Sequence, residues 1–476
     1  MTKNRKPVKK AKKFPRPVDP HREEQQKTSQ IIEAKCRDLT CPGHVVDVRR
    51  GPVVTAFHFI PLRTTRLAKI KAVHEDIAAS TQSEAVTCLR VPGEEGLTIT
   101  IPNKQREIVE FKDTLKNVTA HRYDMVIPIN LGVSSIGDPV VIDLTKMGPH
   151  MLVAGGTGAG KSVLINAILC SLLQHRSPKE LQIKLIDMKL VELMPFSEIP
   201  HVQGQNLAIK RTVESTVMGA YGMMDELLQE LDRRQGLLLF YGVKNIKELH
   251  DKLKATGQAS QLERMPYILL IMDEIADLAL RQKKIFVERM SLLAQKGRAS
   301  GIHIIASTQH PSVQVLPGEI KANFAIRAGL RLPTQSSSRT VFESAGAEQL
   351  LKDGDMLVKS SLSQGLMRVH GPFCRQEDID RTIQGVKFLG WTDRVMIDGI
   401  PELKGQTVSS ALQAGNGGAK NPSPASEGSY KLNQFLRERN TTLEAIRKLP
   451  KVVQQTINQE FKDWQQRQRK ARGTHA

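Results

Sequence analysis

The sequence predicts an α/β protein in which helices flank a parallel sheet, with a smaller α+β subdomain in front of it. Two observations predict this fold class. Between about residues 160 and 373, apolar runs of strand length alternate with stretches of helical periodicity, the pattern of parallel strands joined by helices. Before that region, short strands of alternating polarity indicate a separate small domain. The predicted strands of the parallel sheet are Ile183–Ile186, Tyr267–Met272, His303–Ser307, Phe324–Leu330 and Leu366–Val369.

The smaller subdomain is expected over residues 31–120, and the larger domain over residues 121–400. One amphipathic helix is predicted in the subdomain near Leu67–Ala79. No residues there have catalytic spacing, so a scaffold or adaptor role is expected for it. Its predicted strands are Val45–Val48, Val53–Phe59, Val86–Val91 and Leu97–Ile101.

The two ends of the chain are expected to lie outside the packed domains. Residues 1–30 are predicted to be a disordered basic arm, because eight lysines and arginines and four prolines fall within the first 20 residues. Residues 401–429 are rich in Gly, Ser, Asn and Pro, which is typical of a flexible linker. Residues 430–476 are predicted to form a basic helical tail with a break near Pro450.

Composition narrows the possible binding partners of the protein and its cellular compartment. The formal net charge of +20 and the pI near 9.7 indicate a polyanionic partner, for which nucleic acid and a membrane surface both fit. No apolar run approaches the roughly 20 residues of a membrane span, and the N-terminus lacks the charged-then-apolar pattern of a signal peptide, so a cytoplasmic protein without a transmembrane segment is expected. Cys36, Cys41 and His44 lack an evident fourth metal ligand, and buried or surface thiols are the better interpretation.

The stretch from Met151 to Leu173 contains the most specific motif. An apolar run of strand length, Met151–Ala154, is separated by a glycine-rich turn from apolar residues at helical spacing, and the turn matches G-x-x-x-x-G-K-[ST]. Glycines allow several backbone N–H groups to point at one triphosphate at the positive end of the following helix. The predicted ATP-binding residues are Gly155, Gly156, Thr157, Gly158, Ala159, Gly160, Lys161 and Ser162.

Charged and hydroxyl side chains of the turn and of a second strand complete the predicted site. Lys161 is expected to contact the β- and γ-phosphates, and the Ser162 hydroxyl to ligate Mg²⁺. The strand Tyr267–Met272 ends in two acids, and strand ends of a parallel sheet meet at one edge. Asp273 is therefore predicted to hold Mg²⁺ and Glu274 to be the general base for the attacking water. Together with the alternating pattern, these motifs indicate a RecA-like P-loop NTPase core.

Two further residues are candidates for catalysis. Gln309 ends the next predicted strand, where its side chain could sense the γ-phosphate or orient water. Arg298 lies at the end of the helix predicted after Glu274 and could reach the nucleotide of a neighbouring subunit, where it would neutralise charge on the transferring phosphoryl group. Taken alone, either residue is better explained by surface hydrogen bonding.

Several separated motifs between about Val45 and Phe373 resemble the FtsK/SpoIIIE family of double-stranded DNA translocases. Their order and spacing leave no room for a chance match. The motifs are Gly51–Thr55, Ile101–Lys104, His150–Gly155, Leu185–Lys189, Ile199–His201, Asp232–Arg234, Gly242–Asn245, Asp273–Leu278, Leu293–Ala299, Gly301–His303, Thr308–Ser312, Ile320–Asn323, Ser338–Thr340, Gly346–Glu348, Gly354–Leu357 and Arg368–Gly371.

The resemblance implies a motor driven by ATP. It implies a hexameric ring of RecA-like domains under a ring of N-terminal subdomains, with duplex DNA in the central channel. It also implies that Arg298 is an arginine finger acting in trans. Channel loops are expected near two basic segments, whose cations would follow phosphates without reading sequence. The candidate DNA-contact residues are Lys244, Asn245, Lys321 and Asn323.

The sequence also departs from the family. It shows no N-terminal membrane domain, and residues 430–476 lack the pattern of the winged-helix module that reads orienting DNA sequences. Gly156 stands where the family commonly has Thr, and His310 replaces the usual Arg. These departures favour a phage or plasmid cargo over a chromosome and leave a membrane or recombinase partner open. The alternative function is a DNA-binding coupling or adaptor ATPase that uses ATP as an assembly switch without processive movement.

Overall fold

The computed structural model describes residues 21–62, 73–90, 95–121, 124–203, 209, 211–257, 265–360 and 365–388. Residues 1–20 of the predicted arm, the predicted linker 401–429 and the predicted tail 430–476 lie outside the described residues. So does the first part of the helix predicted near Leu67–Ala79; the described part of this region is helical from His74 to Thr81.

In its described residues, the N-terminal domain is a four-stranded antiparallel sheet covered by two helices on one face. The strand order is β1-β2-β4-β3. The buried face of the sheet includes Phe57, Phe59, Leu97 and Ile99, and this confirms the predicted α+β subdomain. Its elements are α1 (Arg22–Asp38), β1 (Gly43–Arg50), β2 (Val54–Pro61), α2 (His74–Thr81), β3 (Thr87–Leu89) and β4 (Leu97–Pro102).

Helix α1 begins inside the stretch predicted to be a disordered arm. Residues 22–30 contain no proline and are rich in Glu and Gln, which are good helix formers. Ile32 and Cys36, one turn apart on this helix, are fully buried in the core of the N-terminal domain. The arm prediction was therefore wrong for residues 22–30, because packing of two side chains beyond residue 30 stabilises the helix that precedes them.

The cysteines that raised the question of a metal site lie in hydrophobic cores. All five are free and buried. Cys36 and Cys41 belong to the N-terminal core, and desolvation, together with the neighbouring thiols Cys41 and Cys88, raises the pKa of the Cys36 thiol to about 12. The His44 side chain, by contrast, is exposed. Among the residues that the structure describes, no group of three His, Cys, Asp or Glu side chains is arranged to hold a metal ion.

The larger domain contains a ten-stranded sheet. Its strands are β5 (Pro128–Ser134), β6 (Pro139–Asp143), β7 (His150–Ala154), β8 (Leu181–Asp187), β9 (Val213–Glu214), β10 (Tyr267–Asp273), β11 (Ile302–Thr308), β12 (Ile326–Leu330), β13 (Asp355–Lys359) and β14 (Met367–His370). The helices in this domain, numbered after α2, are α3 (Phe111–Ala120), α4 (Leu144–Met147), α5 (Lys161–His175), α6 (Pro200–Gln203), α7 (Val217–Tyr241), α8 (Ile246–Ala255), α9 (Ala276–Arg281), α10 (Lys283–Ser300), α11 (Gly318–Asn323), α12 (Gln335–Phe342) and α13 (Gln376–Phe388).

The sheet is parallel at its centre and antiparallel on one side. The strand order is β6-β5-β14-β13-β12-β7-β11-β10-β8-β9, and the six strands from β12 to β9 are mutually parallel. The predicted α/β core is thus confirmed, but the strand predicted at Leu366–Val369 is antiparallel to its neighbours. The reason is its connection to β13, which is too short for the crossover that a parallel pair requires.

Helices cover both faces of the sheet, as alternation along its strands dictates. Every residue of β8, β10 and β11 is buried. Within β10, Leu269 and Ile271 pack in the core shared with α5, whereas Leu270 and Met272 pack in the core shared with α7 and α10. Burial on both faces explains why β10 is an uninterrupted apolar run from Tyr267 to Met272.

Besides His175, four histidines are buried in the larger domain: His150, His201, His303 and His370. Desolvation is the largest cause that lowers the pKa of each, to about 3 for His150 and about 4 for the other three. The His150 ring accepts the Ile304 N–H at Nδ1 (3.1 Å), so its Nε2 donates to the Ala294 carbonyl (2.8 Å). This pair of bonds requires a neutral imidazole.

We expect mild acid to destabilise the protein. In the unfolded chain these histidines gain a proton near pH 6.5, whereas in the folded chain they stay neutral down to about pH 4. Their contribution is therefore complete above pH 6.5 and is lost as the pH falls below it, by about 1.4 kcal/mol per pH unit for each histidine. Urea-unfolding midpoints at pH 7.5, 6 and 5 measure this loss.

The variant His150→Gln should show a shallower dependence of the midpoint on pH, because it removes one of the titrating groups. His44→Gln, at an exposed position, is the control and should keep the wild-type slope. A midpoint that does not change between pH 7.5 and 5 contradicts the prediction.

Candidate nucleotide-binding and hydrolysis site

The predicted P-loop forms the turn between β7 and α5. Its strand end is anchored, because Gly155 N–H donates to the Thr308 carbonyl at 3.2 Å. The next amide, Gly156 N–H, donates to the Arg331 carbonyl at 2.9 Å. The two residues after these are exposed. The turn is thus fixed where it leaves the sheet and open to solvent at its tip, ahead of the N-terminus of a helix, which suits an anion.

Gly160 ends the turn in a conformation that favours glycine, with φ of 98°. A Cβ atom at Gly160 would lie 2.8 Å from the Gly354 nitrogen. The Gly354 N–H donates to the Ala159 carbonyl at 3.0 Å. The turn around Gly354 therefore forms one wall of the P-loop, a contact for which the sequence pattern gave no signal.

The side chain of Lys161 is buried among polar groups at the ends of β10 and β11. Lys161 is 4% exposed and its ammonium group donates to the carboxylate of Asp273, which is 2% exposed. The ammonium also donates to Ser307 Oγ at 3.0 Å, and this hydroxyl donates to Asp273 Oδ1 at 2.8 Å. Each charge is thus compensated by its neighbours, which a buried ammonium requires.

This cluster assembles because β11 lies between the strand of the P-loop and the strand of the acids. The parallel pairing sets Thr308 beside Ala154 of β7 and Ala306 beside Met272 of β10. Lys161 and Asp273 are therefore brought together across Ser307, as strand ends at one edge of the sheet predict. Ser162, the second residue of α5, is half-buried beside Lys161.

Glu274 is held by two hydrogen bonds and by a strained backbone. It is buried, and its φ of 52° is unusual for a residue with a side chain. One carboxylate oxygen accepts the Thr308 hydroxyl at 2.8 Å, and the other accepts the Gln309 N–H at 3.0 Å. Ile275 N–H donates to the Ser307 carbonyl at 2.9 Å. These contacts fix the carboxylate next to the end of β11.

Gln309 connects the P-loop with this carboxylate. Its side-chain oxygen accepts the Thr157 hydroxyl at 3.3 Å, while its own N–H binds Glu274. Gln309 therefore links the position of the P-loop tip to that of the Glu274 carboxylate. Sequence reasoning singled out Gln309 but missed Ser307 and Thr308, although a Ser-Thr pair at the end of an apolar strand was a usable signal.

Arg298 does not lie with this cluster in the same chain. It is exposed in the last turn of α10, which precedes the first residue of β11, whereas the P-loop lies beyond the last residue, Thr308. A strand of this length separates its two ends by roughly 20 Å. Arg298 therefore lies at the opposite end of β11 from the nucleotide site of its own chain.

The candidate DNA-contact residues lie on two separate helix ends. The Asn245 side chain accepts the Glu248 N–H at 3.0 Å and caps α8, and Asn323 donates to the Glu319 carbonyl at 3.0 Å. These bonds explain both asparagines without DNA. Lys244 is exposed and Lys321 is half-buried, so their contact with DNA stays a prediction.

The fold does not require the residues that depart from the family pattern, Gly156 and His310. A Cβ atom at Gly156 would approach the Arg331 carbonyl oxygen to 3.4 Å, an ordinary contact, so the fold does not require glycine there. His310 is exposed and its bond to the Thr308 hydroxyl, 3.1 Å, comes from the backbone N–H that any residue except proline supplies.

Two family models and several curated proteins match this chain. The model of the FtsK/SpoIIIE family matches residues 110–313, and the model of the FtsK alpha domain matches residues 9–103. Relatives include the DNA translocase FtsK of Borreliella burgdorferi, 35% identical over 79% of this chain and 47% of that protein. Another is the DNA translocase SftA of Bacillus subtilis, 35% identical over 75% of this chain and 37% of that protein.

The chain spans about half or less of the length of these curated relatives. Among solved structures, the pCW3 conjugation coupling protein TcpA, in a monomer form with ATPγS, matches 75% of this chain and 99% of that one. The identity is 19% and the TM-score 0.49, too low to bear on function. Among the described residues, no helix is long and apolar enough to cross a membrane.

We expect Gly160→Ala to weaken nucleotide binding. The substitution adds backbone strain of about 1–3 kcal/mol and pushes the loop against Gly354, so affinity should fall roughly tenfold or more. Titration with a fluorescent ATP analogue measures the change. The matched control is Gly242→Ala, where φ is 63° but a Cβ atom meets nothing within 4 Å. Equal affinities of the two variants would contradict the steric explanation.

Proposed function

The chain belongs to the FtsK/SpoIIIE family, and from that premise we propose that it is an ATPase that moves along double-stranded DNA. One observation carries the proposal: Lys161, Asp273 and Glu274 lie together at the carboxyl edge of a parallel sheet, bonded through the end of β11. Such a site can bind a triphosphate in the turn after one strand and activate water with a carboxylate at the end of another.

In the proposed cycle, Lys161 exchanges its bonds to Asp273 for the β- and γ-phosphates of ATP. Ser162 and Asp273 would hold Mg²⁺, directly or through its water shell, since their oxygen donor atoms suit this hard cation. When bound, Mg²⁺ neutralises negative charge that develops on the phosphates. Because Lys161 and Asp273 already neutralise each other, both change partners together without leaving a buried charge uncompensated.

Glu274 is the proposed general base. Its carboxylate takes the proton of the water that attacks the γ-phosphorus, while the bond to the β-phosphate oxygen breaks. Thr308 and the Gln309 N–H orient that carboxylate. The Gln309 side chain, which binds Thr157 of the P-loop tip, is placed to respond to the γ-phosphate.

Arg298 is proposed to act on the nucleotide of a neighbouring copy, in a homo-hexameric ring. Its distance from its own P-loop supports this role, since an exposed guanidinium at the far end of β11 is too far from the phosphates of its own chain. An arginine supplied in trans typically makes hydrolysis depend on assembly.

Double-stranded DNA is the proposed polymer. The net charge of +20 favours a polyanion, and the cations Lys244 and Lys321 would contact phosphates rather than base edges. Asn245 and Asn323 would contribute neutral contacts beside them. Binding should weaken steeply with salt because phosphate contacts release counterions.

We expect duplex DNA to stimulate ATP hydrolysis at low salt, because the motor turns over productively only on its track. Glu274→Gln should lower kcat by about 10²–10⁴-fold while nucleotide still binds, and Lys161→Ala should abolish turnover. The control is Glu75→Gln, at an exposed site in the N-terminal domain. An ATPase rate that duplex DNA leaves unchanged contradicts the proposed motor function.

A second assay separates a translocase from an ATP-dependent coupling or adaptor protein. Only a translocase should displace a third DNA strand that is bound to the duplex far from the loading site.

The role of Arg298 in trans predicts complementation. Arg298→Ala and Glu274→Gln should each be inactive alone, and mixing them should restore part of the ATPase rate, because some sites combine an intact Glu274 with an intact Arg298 from the neighbour. Lys296→Ala, an exposed cation on the same helix, is the control and should keep wild-type activity. If Arg298→Ala is active alone and mixing the two variants does not raise the ATPase rate, Arg298 is not an arginine finger acting in trans.

A further inference from the structure

A single buried arginine bridges the N-terminal sheet and the motor sheet. Arg368, on β14, is 2% exposed. Its Nε and Nη2 donate to the two carboxylate oxygens of Asp355 at 3.0 and 2.6 Å. Its Nη1 donates to the hydroxyls of Thr87 and Thr100, on β3 and β4, at 3.0 and 2.5 Å. One rigid, planar guanidinium group is therefore bonded to both domains at once.

Burial makes this bridge costly to break. Asp355, Thr87 and Thr100 are as deeply buried as Arg368. If the two sheets shifted against each other while staying packed, one edge of the guanidinium would lose its acceptors without gaining water in their place. The Asp355 carboxylate is itself fixed, since it accepts the Leu351 N–H at 2.8 Å and lies 3.3 Å from His370 Nδ1.

Asp355 follows directly after the wall of the P-loop. The Gly354 N–H donates to the Ala159 carbonyl at 3.0 Å, and the Gly354 carbonyl accepts the Gly371 N–H at 2.8 Å. Gly354 is thus held on both sides, by Ala159 and by Gly371. A displacement of Arg368 and Asp355 therefore acts on the bond to Ala159, inside the phosphate-binding turn.

We propose that Arg368 is a positioning residue that keeps the wall of the P-loop in register with the N-terminal sheet, so that ATP binding and the placement of that sheet influence each other. The N-terminal domain then contributes to the ATP site, although none of its described residues lies in that site. Because such coupling is reciprocal, a change on either side must change the other by the same factor. The proposal depends on the proposed function only in that residues 155–162 bind ATP.

The test removes the two hydroxyls and keeps the ion pair. In the full chain, Thr87→Val/Thr100→Val preserves side-chain volume and leaves Arg368 bonded to Asp355. We expect affinity for a non-hydrolysable fluorescent ATP analogue to fall about fivefold or more, the lower end of typical coupling between sites. Thr87→Ser/Thr100→Ser, which keeps both hydroxyls, should restore binding. Thr98→Val, on the same strand and face as Thr100, is the matched control.

A measurement on the wild-type chain keeps the proposal testable if the valine variant does not fold. The ATP analogue should slow amide hydrogen exchange in 87–89 and 97–102 as well as in 353–355. Valine variants that bind the analogue as the wild type does, or wild-type exchange in the N-terminal strands that is unaffected by the analogue, overturn the proposal. Neither readout involves DNA or hydrolysis, so these results are independent of translocation. A wild-type chain that binds no analogue overturns the ATP site itself and this coupling with it.

Discussion

The contact between the Lys161 ammonium and the Asp273 carboxylate is the interaction on which the rest of the site depends. Both charges are buried, and neither would be tolerated there without the other. Their meeting requires the start of α5 and the end of β10 to lie at one edge of the sheet, which only a parallel arrangement of β7, β11 and β10 provides. The same arrangement places Ser307 between the two charges, where its hydroxyl bonds to both.

The end of β11 is the structural link between binding and hydrolysis. Ser307 contacts the Lys161–Asp273 pair, Thr308 and the Gln309 N–H hold Glu274, and the Gln309 side chain reaches the P-loop. Three adjacent residues thus connect the Lys161–Asp273 pair, the Glu274 carboxylate and the P-loop. Glu274 keeps a left-handed backbone beside them, and strain of this kind persists only where surrounding bonds over-determine the conformation.

A second set of buried polar contacts extends this network away from the edge of the sheet. The pair Arg368–Asp355 joins the turn beside Ala159 to hydroxyls of the N-terminal domain. Buried ion pairs rarely add much net stability compared with apolar packing, but they tolerate few alternative geometries. The cost of keeping Arg368 between two sheets is consistent with a need for a fixed relation between the domains.

The sequence by itself determined the local elements and the chemistry of the strand ends. The glycine-rich turn, the apolar strand before Asp273 and Glu274, and the alternation of strands and helices are local patterns, and local periodicity and turn chemistry are enough to predict them. The rule that parallel strands end at one edge also predicted that Lys161, Asp273 and Gln309 approach each other. The roles of these residues in catalysis stay predictions.

Only the tertiary structure decided the strand order, the antiparallel side of the sheet, the helix that begins at Arg22 and the position of Arg368 against Thr87 and Thr100. Each of these depends on contacts between residues far apart in the chain, for which the sequence contains no periodic signal. Helix α1 forms because Ile32 and Cys36 pack in the core of the N-terminal domain. Arg368 is buried because hydroxyl acceptors from another domain bind its guanidinium group. Packing of this kind is a property of the assembled fold, and residue types at neighbouring positions do not encode it.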